Sequence, residues 1–208
     1  MQDLFEEEAI ANHVYPLDDR VYERFNAAIA GRPDLMGDRT SLTLADGMTG
    51  ILENTFINEK NRFKTIVANV DLKGNDRGVI LTQGGKFGGW ALYMDGGKPA
   101  YTYNWFGLER YTIASPRAIA GNRAEIKLQF DYDGGGNGMG GMATLYVDGK
   151  KVAEGRVEKT QPLLYSADET ADVGLDEATQ SADLVFKDVE DSDFTGFVKS
   201  VTISIPKE

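Results

Sequence analysis

The chain has 208 residues, of which 41% are hydrophobic and 26% charged, a composition typical of a soluble globular protein. Its net charge of −11 disfavours binding to nucleic acid, to anionic membranes and to sulfated glycans, which are all negatively charged. The absence of cysteine excludes disulfides and thiolate chemistry. No apolar run is long enough to span a bilayer, and the start, MQDLFEEEAI, lacks the pattern of a signal peptide.

Helical spacing is confined to the first part of the chain. Residues 3–13 predict a short helix, and residues 17–30 predict a second helix that begins after Pro16. The sequence Gly31-Arg32-Pro33 should end it. We therefore expect a helical lead over residues 1–36, too small to fold alone.

From residue 39 onward the apolar residues alternate with period two, which indicates β-strands. The clearest strand covers residues 124–133, where five apolar side chains alternate with five polar ones. In residues 61–72 we place Ile66 on the buried face and Lys64 on the exposed one. Asp148-Gly149 predicts a tight hairpin turn, and in the last strand we place Phe197 on the same face as Val201.

Residues 77–114 predict three consecutive strands, separated by glycine pairs, that carry both tryptophans and four of the nine tyrosines. With more than ten short strands and no alternation of strands and helices, the chain predicts a mainly β fold. Two antiparallel sheets should pack as a sandwich over residues 37–208.

Aromatic residues in this stretch have two interpretations. Stacked on one sheet face they could bind a sugar ring, with polar neighbours as hydrogen-bond partners. Alternatively, the rings fill the interior, and Asn104 and Arg110 make structural hydrogen bonds; we favour this packing interpretation. The candidate ligand-binding residues are Trp90, Tyr101, Tyr103, Asn104, Trp105 and Arg110.

Two acidic loops, around residues 168–177 and 188–193, could hold a structural calcium ion. Neither fits the spacing of a calcium-binding loop, so we favour solvated loops. The single histidine, His13, has no partner nucleophile in the sequence and is expected at a helix end.

Two other patterns are weak candidates for chemistry. Residues 136–141 satisfy G-x-G-x-x-G, but a strand is predicted to follow where a nucleotide site needs a helix. Asp131 and Asp133 lie about 6.5 to 7 Å apart along a strand, within the range of inverting glycosidases. Their polar neighbours favour a solvated face instead.

Much of the chain resembles the C-terminal region of bacterial arylsulfatases. The segments that carry the resemblance are NHVYPLDDR (12–20), GRPDLMGDRTSLTL (31–44), GMTGILENTFIN (47–58), GVILTQGGKFGGWALYMDGGKPAYTYNWFGLERYTI (78–113), FDYDGGGNGMGGMATLYVDGKKVAEGRVEKTQP (130–162), SADETADVGLD (166–176) and FTGFVKSVTISI (194–205).

The resemblance implies a jelly-roll sandwich of the concanavalin type that follows an absent catalytic domain. In that family the catalytic domain holds formylglycine, calcium and the catalytic histidines and lysines, and nothing here corresponds to them. Ser115-Pro116-Arg117 does not have the spacing of the formylglycine motif. The parent would be periplasmic or secreted, with a cytoplasmic location as the alternative.

The resemblance also implies that the helical lead contacts the upstream catalytic domain. The candidate interface residues are Tyr15, Leu17, Asp18, Asp19, Arg20 and Phe25. We expect a non-catalytic accessory domain without a cofactor of its own, which supports the catalytic domain, its substrate cleft or homo-oligomerisation. The alternative is a carbohydrate-binding module that uses an aromatic sheet face and takes a glycan as partner.

Overall fold

The computed structural model describes residues 1–17, 33 and 35–207. The chain divides into two compact units, Met1–Gly37 and Asp38–Glu208. In the first unit, α1 covers Gln2–Ala11 and begins one residue before the predicted start. The second predicted helix, at 17–30, lies outside the described residues apart from its first position. No helix among the described residues is long and apolar enough to cross a membrane.

The second unit is a sandwich of two antiparallel sheets, as the sequence predicts, and each sheet has six strands. Residues 77–114 form four strands and not the predicted three, because the chain turns again after Trp105. One sheet has the order β1-β12-β3-β8-β9-β10 and the other β2-β11-β4-β5-β6-β7. The strands are β1 Ser41–Leu44, β2 Ile51–Leu52, β3 Lys64–Asp71, β4 Gly78–Gly85, β5 Gly88–Asp95, β6 Lys98–Trp105, β7 Glu109–Ala114, β8 Arg123–Tyr132, β9 Gly141–Val147, β10 Lys150–Val157, β11 Thr170–Val173 and β12 Phe197–Ser204. A short 3₁₀ helix covers Glu53–Thr55, and α2 covers Val189–Ser192.

Strand β4 is buried along its whole length, because both faces of its sheet are covered. The inner face packs against the other sheet. On the outer face, Ala182 and Phe186 of the segment between β11 and β12 pack against Val79 and Tyr93. The Tyr93 and Phe186 rings meet edge to face, with centroids 5.3 Å apart. Covering on both faces explains the run of three apolar residues in β4, Val79-Ile80-Leu81.

Alternation along β8 matches the prediction, since its even-numbered apolar residues from Ala124 to Phe130 are buried. The β9–β10 hairpin turns at Asp148 and Gly149, both with positive φ, as predicted. The prediction for β12 is wrong at Phe197, which is 50% exposed. A bulge between Val198 and Ser200 shifts the register, so Val198 is buried in its place.

Candidate functional site

Most of the candidate ligand-binding residues lie inside the sandwich. Trp90, Tyr101 and Tyr103 point from neighbouring strands towards the other sheet, and Asn104 lies at the end of β6; all four are at most 1% exposed. Rings in this position cannot stack on a sugar at the surface. Trp105 and Arg110 are half-buried and are the two candidates that remain accessible.

Charged residues accompany these rings in the core. Glu59 is 1% exposed; one carboxylate oxygen accepts from Trp90 Nε1 at 3.0 Å and from the Tyr165 hydroxyl at 2.7 Å. Its other oxygen accepts from the Lys64 ammonium. Lys64 is 3% exposed, so its predicted place on the outer face is wrong. Period two puts it on the same face as Ile66, and Glu59 compensates for burial of the ammonium.

The pKa values of this pair follow from burial and charge. Burial favours the neutral acid, but Lys64 and Lys60 together outweigh it, so the pKa of Glu59 lies below its usual value. Burial lowers the pKa of Lys64, and Glu59 opposes that change. The pair fixes Trp90 and Tyr165 and acts as a structural centre.

Gly84 and Gly88 let other segments of the chain approach the β4–β5 hairpin closely. A Cβ on Gly88 would lie 2.2 Å from the Gln161 side chain, and one on Gly84 would lie 2.9 Å from Tyr165 Cβ. These glycines are therefore needed for close packing as well as for turning the chain.

An accessible aromatic surface lies at the tips of two neighbouring hairpins. Phe87 is at the β4–β5 turn and is 72% exposed; Phe106 and Leu108 are at the β6–β7 turn and are 44% and 73% exposed. The Trp105 and Phe106 rings meet with centroids 5.3 Å apart. A Cβ on Gly107 would lie 3.6 Å from Phe87 Cδ1, so the two tips are adjacent. We call Phe87, Trp105, Phe106 and Leu108 the hairpin-end patch.

The buried Asn104 side chain fixes the position of this patch by hydrogen bonds to the backbone of both turns. Its Nδ2 donates to the carbonyl of Lys86 at 2.9 Å and to that of Ser181 at 3.3 Å. Its Oδ1 accepts from the backbone N–H of Gly107 at 2.9 Å. One buried carboxamide therefore ties both hairpin tips together, which is the structural role that the packing interpretation gives it.

Phe106 adopts a costly backbone conformation to expose its ring. The Leu108 N–H donates to the Trp105 carbonyl at 2.9 Å, while Phe106 and Gly107 between them have φ of 52° and 71°. This is the pattern of a type I′ turn, which favours Asn or Gly at its first central position. A bulky residue with positive φ costs about 1–3 kcal/mol.

Paired charges surround the patch. Arg110 Nε and Nη2 donate to the two oxygens of Asp183 at 3.0 and 2.7 Å, and Nη1 donates to the Gly107 carbonyl. Lys159 Nζ lies 4.5 Å from the Trp105 ring centroid and 2.8 Å from a Glu109 oxygen. The other Glu109 oxygen accepts from the Tyr111 hydroxyl. Burial, followed by the bond to Glu109, raises the pKa of Tyr111 to about 12.

The second acidic loop is largely exposed, as we favoured, with Asp188, Glu190 and Asp193 at the surface. The first loop is solvated at Asp168, but two of its carboxylates are not. Asp172 and Asp176 are fully buried. Asp172 accepts from the Gly50 N–H at 2.7 Å, and Asp176 accepts from the Ser181 N–H at 2.7 Å. Among the described residues, no three acidic or histidine side chains are placed to hold a metal ion.

The remaining motifs lie in structural positions. Asp133 forms a bidentate ion pair with Arg156, and Gln129 donates to Asp131, so both carboxylates belong to an exposed face. After the glycine-rich loop the chain enters β9, as predicted, and no nucleotide-binding helix follows. The Ser115 hydroxyl donates to the Arg117 carbonyl at 2.8 Å in a turn. His13 follows α1 with φ of 56°.

The candidate interface residues of the helical lead are only partly described. Tyr15 and Leu17 are 43% and 59% exposed. Asp18, Asp19, Arg20 and Phe25 lie outside the described residues. The contact with a catalytic domain stays a prediction.

No family model and no curated protein matches this chain. Among solved structures, it is similar to the CBM40 of the Ruminococcus gnavus IT-sialidase, with a TM-score of 0.53 and 13% identity over 82% of this chain and 92% of that one. It is also similar to part of the NanB sialidase from Streptococcus pneumoniae, with a TM-score of 0.54 and 14% identity over 79% of this chain and 26% of that one. The chain shares their β-sandwich fold. At this identity the likeness extends to the fold alone.

Sequence reasoning missed Phe87, Phe106 and Leu108. The available signal was apolar residues at hairpin tips, where turns ordinarily carry Gly, Asn or Asp. In KFGG (86–89) and WFGLE (105–109), bulky side chains stand beside the turn glycines.

Proposed function

We propose that this chain is a non-catalytic carbohydrate-binding module and that the hairpin-end patch binds the sugar. The observation that carries the proposal is the exposure of Phe87 and Phe106 beside a half-buried Trp105. Aromatic rings offer apolar faces to the C–H groups of a sugar ring, and nearby polar groups bond its hydroxyls. The fold shared with a CBM40 supports a binding role.

The surroundings of the patch suit this role. The Glu109–Lys159 and Arg110–Asp183 ion pairs lie at its border. Arg110 also donates to the Gly107 carbonyl. Because Asn104 fixes both tips, the rings need little ordering when a ligand binds, which lowers the entropic cost of binding.

The test is calorimetry with the best ligand from a glycan array, on the wild-type chain and on Phe87→Ala. We expect the substitution to weaken binding by about tenfold or more, which corresponds to about 1.4 kcal/mol. Phe197→Ala is the matched control, because Phe197 is 50% exposed and lies on the opposite sheet. Equal affinities for both variants, or no ligand on the array, would contradict the proposal.

The resemblance to arylsulfatases supports a second proposal, an accessory contact with a sulfatase catalytic domain. Helix α1 exposes Leu4, Phe5 and Ile10 at 56%, 52% and 67%, which is a large apolar share for so short a helix. We expect no turnover of a chromogenic aryl sulfate by the chain alone. Amide exchange in α1 should slow when an arylsulfatase catalytic domain is added, and unchanged exchange would count against this contact.

A further inference from the structure

Two cations at the border of the hairpin-end patch, Arg110 and Lys159, are already paired with carboxylates. Three guanidinium nitrogens of Arg110 donate to Asp183 and to the Gly107 carbonyl. The Lys159 ammonium pairs with Glu109 at 2.8 Å. An anionic ligand would gain either of these two cations only by displacing its carboxylate partner.

Acidic groups balance the cations around the patch. Four cations stand against four carboxylates: Lys86, Arg110, Arg156 and Lys159 against Glu109, Asp133, Glu158 and Asp183. Glu158 also lies near enough to Tyr111 to raise the pKa of that phenol. The whole chain adds a net charge of −11, which repels an approaching anion at low salt.

Paired charges still bind hydroxyl groups well. The carboxylates of Glu109 and Asp183 can accept from a hydroxyl, and the Lys159 ammonium can donate to one, while each pair stays intact. A sugar hydroxyl both donates and accepts, so it fits such an array without adding an unpaired charge. A sugar carboxylate or sulfate only accepts, and it faces Glu109 and Asp183 at close range.

From this balance we propose that the hairpin-end patch selects neutral, hydroxyl-rich sugars over sugars that carry a carboxylate or sulfate group. The inference rests on the proposed function and adds the class of ligand. Because the neutral contacts involve no net charge, the affinity should depend little on salt.

The experiment is an array of matched glycans, each neutral glycan printed beside its sialylated and sulfated forms, followed by calorimetry in low and high NaCl. We expect neutral glycans to bind at least about tenfold more tightly than their anionic forms, with about the same affinity at both salt concentrations. Tighter binding of the anionic forms would overturn this inference and leave the proposed function intact. No binding to any member of the array would overturn the proposed function itself.

A variant separates charge selection from general loss of fit. Glu109→Gln keeps an acceptor for Tyr111 and frees Lys159 from its ionic partner, and this side chain is 40% exposed, so folding should be unaffected. We expect the variant to bind the anionic forms more tightly relative to the neutral ones. An unchanged ratio of affinities would count against charge balance as the cause of selection.

Discussion

The Asn104 carboxamide oxygen accepts the backbone N–H of Gly107 at 2.9 Å across the base of the β6–β7 turn. The same side chain donates to the Lys86 carbonyl at the neighbouring turn. Sequence reasoning considered Asn104 as a ligand-binding residue or as a structural one, and the structure gives it the structural role. The exposed rings are held by a residue that is itself inaccessible.

Replacing Asn104 by alanine should loosen both hairpin tips. The backbone groups of Lys86, Ser181 and Gly107 lose their partner, and we expect a loss of about 1–3 kcal/mol in the free energy of unfolding. Urea denaturation measures the loss, and amide exchange at residues 107–108 should quicken. Asn137→Ala, at an exposed position, should cost less than about 0.5 kcal/mol. Equal effects of the two changes would refute the role of Asn104.

The buried Glu59–Lys64 pair gives a second prediction. Lys64→Met leaves Glu59 buried beside Lys60 alone, and we expect a loss of about 3–5 kcal/mol in the free energy of unfolding. Combining it with Glu59→Gln should recover part of the loss, because no uncompensated carboxylate then remains. Lys151→Ala breaks a pair with Glu154 that is half exposed and should cost at most about 1 kcal/mol. A cost for Lys64→Met as small as that of the control would contradict the burial of the pair.

Gly88 and Gly136 offer a matched comparison of packing against backbone strain. Their φ values are 149° and 145°, yet a Cβ on Gly88 meets Gln161 at 2.2 Å while one on Gly136 meets nothing within 4 Å. Positive φ destabilises both alanine variants, whereas the steric clash of the added Cβ destabilises only Gly88→Ala. We expect it to be less stable than Gly136→Ala by about 1–3 kcal/mol in urea denaturation. Equal stability of the two variants would contradict the claim that Gly88 is needed for close packing.

Asp176 should make stability fall as pH rises. Burial raises the pKa of its carboxyl well above the ordinary 3.8, so the folded chain holds this proton more tightly than the unfolded chain. The contribution is complete below pH 3.8 and is lost as pH rises through the folded pKa. Asp176→Asn removes this contribution, so chemical denaturation across that range should show a less steep fall of stability with pH. An unchanged slope would show that Asp176 does not carry the effect.

Much of the fold could be predicted from the sequence because its strands follow period two. The alternation in β8 and the continuous apolar run in β4 both indicate their surroundings directly. Phe197 was misplaced because a bulge between Val198 and Ser200 is set by pairing with β3, which the sequence of β12 alone does not specify.

The site was harder to predict because its determinants come from distant parts of the chain. Lys64 was assigned to the outer face because of its charge. Its burial is compensated by Glu59, which Trp90 and Tyr165 hold in place by hydrogen bonds. Trp90, Tyr101 and Tyr103 are buried, as the favoured packing interpretation predicts. Exposure of Phe106 follows from a turn geometry that disfavours phenylalanine, which an aromatic count cannot show.

Phe106→Asn tests the central claim most directly, because it separates binding from folding. Asparagine suits the first central position of a type I′ turn, so the variant should be as stable as the wild type or more stable by about 1 kcal/mol. Calorimetry with the glycan that binds the wild type most tightly should show affinity reduced by about tenfold or more in this well-folded variant. Unchanged affinity in a variant of wild-type stability would mean that the hairpin-end patch is not the sugar-binding surface.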